Sequence, residues 1–187
     1  LEEENILAAG QSSYLTNYAH YPVYENTETE YYPLGDVWFE HFIEELKKAE
    51  HYIFMEYFII SEGYLWDTVL EILKEKAAAG VDVRLMIPCK PDHPFVYWAT
   101  CSYAGELIDY GARVYVYENG FLHSKGVTVD SEVCCYGTAN MDMRSFGLNF
   151  EVNATIYDEE VTGKMEQAFM DDLPRCREIT ADLYCRR

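Results

Sequence analysis

The sequence predicts an α/β fold, with a mixed β-sheet flanked by helices on both faces. Residues 51–60 are rich in aromatic and β-branched side chains, which is typical of a buried strand. An amphipathic helix over 65–79, closed by Gly80, and a strand over 81–87 follow. This strand–helix–strand unit implies parallel pairing. Later strands are joined by tight turns, so the sheet as a whole is mixed.

The other elements follow in chain order from the same periodicities. Residues 1–35 show no sustained period, which predicts an extended lead-in with room for one short helix. Asp36 is the predicted N-cap of a helix over 37–50, and residues 36–187 are predicted to form one domain. The remaining predictions are helices over 95–110 and 159–172, strands over 113–117, 121–129, 132–136 and 150–157, and turns at Asn119-Gly120 and Asp130-Ser131.

Charge restricts the classes of partner. The chain has 187 residues with 33 acidic and 14 basic side chains, a formal net charge of −19. Such a field repels polyanions, which argues against non-specific nucleic-acid binding and weakens docking to an anionic membrane. The six cysteines form no CxxC pair, which favours reduced thiols in a cytoplasmic protein. We expect no signal peptide at the acidic start and no membrane-spanning run.

One stretch carries the residues expected to perform chemistry. His123 and Lys125 lie two positions apart on a predicted strand, so their side chains should leave the same face. The lysine would neutralise phosphodiester oxygens while the imidazole attacks phosphorus or moves a proton. Asn140 can donate to the same oxygens, and Glu151 can hold the other ring nitrogen of the histidine. A histidine and a lysine this close in sequence are more often two exposed residues on an edge strand than a catalytic pair.

The full spacing goes further than adjacency. His123, Lys125 and Asp130 are followed, after six residues, by Gly137-Thr138-Ala139-Asn140. This pattern, HxKxxxxD and then G-T-x-N, resembles the signature of the phospholipase D superfamily. Further stretches resemble the catalytic part of bacterial cardiolipin synthases; they are residues 31–36, 45–49, 56–60, 80–84, 91–94, 120–125 and 140–146.

The resemblance implies a site and a reaction. It implies a phospholipase D-type repeat in which His123, Lys125, Asp130, Asn140 and Glu151 form the catalytic set, with Asp130 more suited to a structural bond than to acting as a base. Ser124, Thr138 and His93 are the candidate substrate-binding residues. The implied reaction transfers a phosphatidyl group between two phosphatidylglycerol molecules through a phosphohistidine, without metal or cofactor. It implies peripheral contact with the cytoplasmic face of the cell membrane.

The chain departs from the family in one respect that bears on activity. Members carry two homologous halves, each with its own motif, whereas this sequence has one motif. Residues up to about 86 resemble the first half and those from about 87 the second, which suggests an internal fusion giving one repeat. A homodimer would restore two motifs. Two alternatives remain: a dimeric single-motif phosphodiesterase acting on nucleic acid, which the net charge disfavours, and a non-catalytic remnant.

Overall fold

The chain divides into two compact units, Leu1–Tyr32 and Pro33–Arg187. The structure, a computed structural model, describes residues 5–21, 28–90 and 94–181, with backbone alone over 94–101. The first unit contains helix α1 (Ile6–Asn17), which begins after Asn5. The Asn5 side chain accepts hydrogen bonds from the amides of Leu7 and Ala8, a normal N-cap. The N-terminal segment therefore contains one helix, which the sequence analysis allowed for in residues 1–35.

The second unit contains a seven-stranded mixed sheet, so the predicted fold class is confirmed. Its strands are β1 (Tyr52–Tyr57), β2 (Asp82–Pro88), β3 (Arg113–Tyr117), β4 (Lys125–Val129), β5 (Val133–Gly137), β6 (Asn153–Ile156) and β7 (Cys176–Ile179). The order across the sheet is β6-β5-β4-β1-β2-β3-β7. β1, β2 and β3 are parallel, as the strand–helix–strand pattern predicts, and every other pairing is antiparallel.

Helices cover both faces of this sheet. The helices are α2 (Gly35–Lys48), α3 (Tyr64–Ala78), α4 (Pro94–Asp109), α5 (Met143–Gly147) and α6 (Glu159–Asp172). α3 packs on β2 and α4 on β3, while α2 packs on α3 and α5. α6 packs on β4 and β5 from the other side, where its Phe169 joins Phe54, Met86 and Tyr115 in a buried cluster. Because side chains alternate along a strand, the residues next to Phe54, Met86 and Tyr115 point to the other face of the sheet.

The bounds of three predicted elements differ from those in the structure, and two elements were missed. α2 begins at Gly35, with Leu34 at the N-cap and no capping side chain, so Asp36 lies in the first turn instead of capping it. β4 begins at Lys125 and not at 121, because its partner β1 ends at Tyr57, directly opposite Lys125. β6 covers only Asn153–Ile156 of the predicted 150–157. Helix α5 and strand β7 were not predicted.

Candidate active site

Two strands end and two strands begin side by side along one edge of the sheet, the edge that runs across the strand termini. Because β4 runs antiparallel to β1 and β5, and β6 antiparallel to β5, the ends of β1 and β5 lie beside the starts of β4 and β6. Beyond the strands, the amide of Met141 donates to the carbonyl of Ile59 at 3.1 Å, and the amide of Ser61 to the carbonyl of Met141 at 3.0 Å. This edge therefore gathers residues 58–61, 121–125, 138–141 and 151–153.

His123 lies in the irregular segment 121–124 that leads into β4, and its side chain is exposed. Its ring packs against two aromatic rings that also contact each other, with their centroids 5.0 Å apart. The Phe58 centroid lies 4.8 Å from the His123 centroid, and the Phe121 ring stacks on it at 5.7 Å with an interplanar angle of 19°. The two phenylalanines restrict the orientation of the imidazole while leaving it open to solvent.

Lys125, the first residue of β4, is buried with 5% exposure. Its Nζ donates a hydrogen bond to the carbonyl oxygen of His123 at 2.7 Å and lies 5.1 Å from the centroid of the Phe58 ring. Burial lowers the pKa of the Lys125 ammonium, and the negative charge of Glu151 acts in the opposite direction. The predicted pair of imidazole and ammonium is thus brought together, with the ammonium beneath the backbone that carries the imidazole.

Thr138 and Asn140 lie after β5 and flank the same edge. The Thr138 hydroxyl accepts from the amide of Val152 at 2.9 Å, which ties the end of β5 to the start of β6. The backbone amide of Asn140 donates a hydrogen bond to the Ser145 hydroxyl at 3.1 Å. Its side-chain oxygen Oδ1 is buried and has no hydrogen-bond partner among the described residues. The backbone bond fixes the chain at Asn140, while its side-chain oxygen stays unsatisfied within the described residues.

Glu151 and Asp130 do not touch the histidine in the described structure. The carboxylate of Glu151 accepts from the side-chain amide of Asn149 at 3.0 Å. Asp130 lies in the turn after β4, at the opposite end of the strand from Lys125, and five residues of strand correspond to about 16 Å. Its carboxylate accepts from the backbone amides of Glu50, His51 and Tyr52.

Two residues that the sequence analysis did not assign to the site, Glu56 and Tyr136, contact it from the face of the sheet opposite to the Lys125 side chain. Glu56, on β1, accepts a hydrogen bond from the hydroxyl of Ser124 at 2.7 Å and another from Tyr136. Burial raises the pKa of Glu56, and these two hydrogen bonds oppose the rise. The signal was present in the sequence, because a carboxylate inside an apolar strand requires polar partners. The substrate-binding role of Ser124 stays a prediction, since its hydroxyl is engaged by Glu56.

Three further observations complete the description of the site. His93 lies outside the described residues. In the part of the chain that the structure describes, no group of three or more His, Cys, Asp or Glu side chains is placed to hold a metal ion. Over the same residues, no helix is long and apolar enough to cross a membrane.

The fold and the edge residues define a phospholipase D-type domain. The chain superposes on the phospholipase D family member Nuc of Salmonella typhimurium with a TM-score of 0.64 and 18% identity, covering 78% of this chain and 90% of that one. The corresponding values for NucT of Helicobacter pylori are 0.63, 16%, 78% and 92%. At this level of identity the likeness establishes the fold.

The chain belongs to the family described as "Cardiolipin synthase, PLD-like domain", which matches residues 42–173. It is 49% identical over 140 residues to cardiolipin synthase 1 of Staphylococcus epidermidis, an alignment covering 75% of this chain and 28% of the relative. It is 53% identical over 120 residues to cardiolipin synthase of Listeria monocytogenes, covering 64% of this chain and 25% of that relative. The predicted family is confirmed, and the chain spans about a quarter of the length of these relatives.

Proposed function

We propose that this chain is a phosphatidyltransferase of the cardiolipin synthase type, with His123 as nucleophile. The observation that carries the proposal is that the exposed imidazole of His123 and the buried ammonium of Lys125 lie at one sheet edge, where both contact the Phe58 ring and the ammonium donates to the His123 carbonyl. A phosphodiester bound there would meet a nucleophile and a positive charge together. Family membership and identities of 49% and 53% to cardiolipin synthases support the same reaction.

The proposed reaction has two steps. A ring nitrogen of His123 attacks the phosphorus of one phosphatidylglycerol, the bond to the glycerol oxygen breaks, and a phosphohistidine forms. The departing oxygen takes a proton and leaves as glycerol. The hydroxyl of a second phosphatidylglycerol then loses its proton and attacks phosphorus, and the bond to His123 breaks. In this proposal Lys125, Thr138 and Asn140 contact the phosphoryl oxygens. Glu151, whose carboxylate bonds to Asn149 in the free protein, turns to the charged imidazole and stabilises it.

The proton transfers require a second acid–base group, which we propose comes from a second copy of the chain. Two copies related by a two-fold axis would bring two His123 side chains to one phosphodiester, one as nucleophile and the other as general acid and then base. Proton transfer of this kind contributes about 10²–10⁴-fold to rate, so an isolated subunit should be nearly inert. Turnover per subunit should therefore rise with protein concentration.

Apolar side chains around this edge favour a lipid substrate over a nucleic acid. Phe121 stacks on His123 and is exposed, and Val152, whose amide donates to Thr138, is exposed, as are Leu148 and Phe150 shortly before it in the chain. Apolar side chains of this kind suit contact with the acyl region of a lipid, whereas the net charge of −19 repels a polynucleotide. We place the protein as a peripheral protein at the cytoplasmic face of the cell membrane, which fractionation with a salt wash would test.

The proposal is tested by incubating the protein with vesicles that contain labelled phosphatidylglycerol. The wild type should release glycerol and form cardiolipin, and an acid-labile phosphorylated histidine should be trapped on rapid quenching. His123→Ala should abolish both signals. His51→Ala, which removes an exposed histidine near the opposite edge of the sheet, serves as the matched control and should change neither. Cleavage of single-stranded DNA instead of lipid turnover, or full activity of His123→Ala, would overturn the assignment.

We also propose that the domain is an internal fusion of two equivalent half-sequences that now packs as one unit. The join between the two resemblances falls inside β2, where Met86 and Ile87 are fully buried and the strand is paired on both sides. A join at this position leaves β2 as one continuous interior strand. Limited proteolysis of the native protein should therefore spare residues 85–90, and rapid cutting there would count against a single packed unit.

A further inference from the structure

A half-buried carboxylate lies beside the proposed catalytic segment, on the face of the sheet opposite to the Lys125 side chain. Glu56 is the charged residue of β1, where the neighbouring strand residues Phe54, Met55 and Tyr57 are apolar or aromatic and buried. Its Oε1 accepts from the Ser124 hydroxyl at 2.7 Å, and Tyr136 supplies a second hydrogen bond. Burial of a carboxylate is unfavourable unless hydrogen bonds replace its hydration, so these two bonds are what allow the group to stay there.

The local packing is arranged so that both bonds can form. Glu56 is the register partner of Gly126 on β4, and Gly126 is in turn the partner of Tyr136 on β5. A Cβ atom at Gly126 would lie 2.2 Å from the Tyr136 ring. The absence of that atom lets the ring lie flat across β4, so that the Tyr136 hydroxyl reaches the carboxylate two strands away. A larger residue at Gly126 would push the ring off the strand.

Ser124 is the residue through which this carboxylate reaches the active edge. It stands between His123 and Lys125, and its side chain points to the face of the sheet that carries Glu56. The carbonyl of Ser124 also accepts from the amide of Phe58 at 3.0 Å, and the Phe58 ring packs on the imidazole of His123. One side-chain bond and one backbone bond thus fasten the segment that carries both the nucleophile and the ammonium.

We propose that Glu56 is a positioning residue for this reaction, holding the backbone of His123, Ser124 and Lys125 through the Ser124 hydroxyl. The inference rests on the proposed function for its catalytic consequence and on geometry for its structural one. Glu56 contacts no reacting atom in this arrangement. Loss of its carboxylate should loosen the segment, and a displacement of about 1 Å at a nucleophile costs up to about a hundredfold in rate.

The chain provides a matched control at the other end of β4. There Glu166 accepts from the Ser131 hydroxyl at 2.9 Å, and Ser131 contacts Tyr52 through its amide and its hydroxyl. Glu166, Ser131 and Tyr52 therefore repeat the combination of carboxylate, serine and tyrosine, but far from the active edge. Glu166→Ala removes a hydrogen bond of the same kind without touching the segment that carries His123.

The first measurement is amide hydrogen exchange at Phe58, because its amide reports whether the Ser124 carbonyl is held in place. Glu56→Ala should speed this exchange about tenfold or more, since a hydrogen bond to a charged group is lost. Ser124→Ala should do the same, and it replaces Glu56→Ala if that variant does not fold. Glu56→Gln, whose amide oxygen still accepts from Ser124, should keep most of the protection. Glu166→Ala should leave Phe58 unchanged.

The second measurement is turnover of phosphatidylglycerol by the same variants. Glu56→Ala should lower kcat about ten- to a hundredfold with KM within about twofold, Glu56→Gln should restore most of the rate, and Glu166→Ala should match the wild type. Unchanged kcat and unchanged Phe58 exchange in Glu56→Ala would overturn the inference alone, provided that His123→Ala is inactive. Absence of turnover in the wild type would overturn the proposed function, and the exchange data would still decide the positioning role.

Discussion

Replacing Asp130 tests whether the last member of the motif acts in folding or in chemistry. Its Oδ2 accepts from the amide of Glu50 at 2.6 Å, and its Oδ1 accepts from the amides of His51 at 3.0 Å and Tyr52 at 2.6 Å. The first two bonds are exposed and the third is partly buried. About 1 kcal/mol for each exposed bond and about 2 kcal/mol for the third gives a loss of about 4 kcal/mol in Asp130→Ala.

The backbone of Asp130 adds to this loss, because its φ of +52° is left-handed and costs alanine about 1 kcal/mol more. Asp130→Asn keeps the two bonds to its side-chain oxygen, loses the bond to Glu50 and tolerates the same φ, so we expect a loss of only about 1–2 kcal/mol. At about 2–4 °C per kcal/mol for a domain of this size, Tm should fall by about 10–20 °C in Asp130→Ala and by about 2–8 °C in Asp130→Asn.

Differential scanning calorimetry measures these shifts, and Asp130→Gly, which relieves the φ strain, should melt slightly above Asp130→Ala. Folded Asp130→Asn should keep kcat within a few-fold of the wild type, since about 16 Å of strand separate this turn from Lys125. Equal destabilisation by alanine and asparagine would refute the hydrogen-bond account. A stable Asp130→Asn as inactive as His123→Ala would show that the carboxylate takes part in the chemistry.

Three further outcomes follow from the described packing. Gly126→Ala should lower the free energy of unfolding by about 1–3 kcal/mol in urea denaturation, because its Cβ would meet the Tyr136 ring at 2.2 Å. Burial and the negative charge of Asp172 raise the pKa of Glu56, so folding favours the protonated form of this carboxyl group. The stability that results is present at low pH and is lost as pH rises through the raised pKa of the folded state. Glu56→Gln should therefore gain stability relative to the wild type as pH rises, and an unchanged difference between pH 4 and 8 would contradict the assignment. Burial raises the pKa of Cys135 to about 12, so its thiol should react with Ellman's reagent far more slowly in the native protein than in urea.

Much of the fold was predictable because the sheet centre obeys simple periodicity. Residues 51–60 and 81–87 are largely apolar, and the amphipathic helix between them has one apolar face, so the strand–helix–strand pattern predicted their parallel pairing. Helix α5 escaped prediction because five residues are too few for a helical period to show. Strand β7 escaped because it is a half-exposed edge strand after Pro174, and its pairing with β3 is decided by tertiary contact.

The site was predictable in composition but not in geometry. Motif spacing selected His123 and Lys125, yet the strand was expected to carry both, whereas β4 begins only at Lys125. The length of β4 is set by where β1 ends, and no local signal within 121–129 reveals this. The support from Glu56 was equally hidden, because its partners Ser124 and Tyr136 are distant in sequence and converge only through strand register.

The arrangement around β4 suggests why this strand suits phosphoryl chemistry. One end of β4 is held by the carboxylate of Asp130, which accepts from three backbone amides. The end near His123 is held by the carboxylate of Glu56, which accepts from the Ser124 hydroxyl. His123, the proposed nucleophile, stands just outside the strand, where no ladder bond restricts it and two aromatic rings pack against it. Lys125, by contrast, is buried inside the strand. Burial keeps its ammonium poorly hydrated and therefore strongly attractive to a phosphate. Because β4 begins between these two residues, the chain passes from an exposed irregular segment at His123 to a buried strand position at Lys125 within three residues. A strand that began earlier would include both residues and lose this difference.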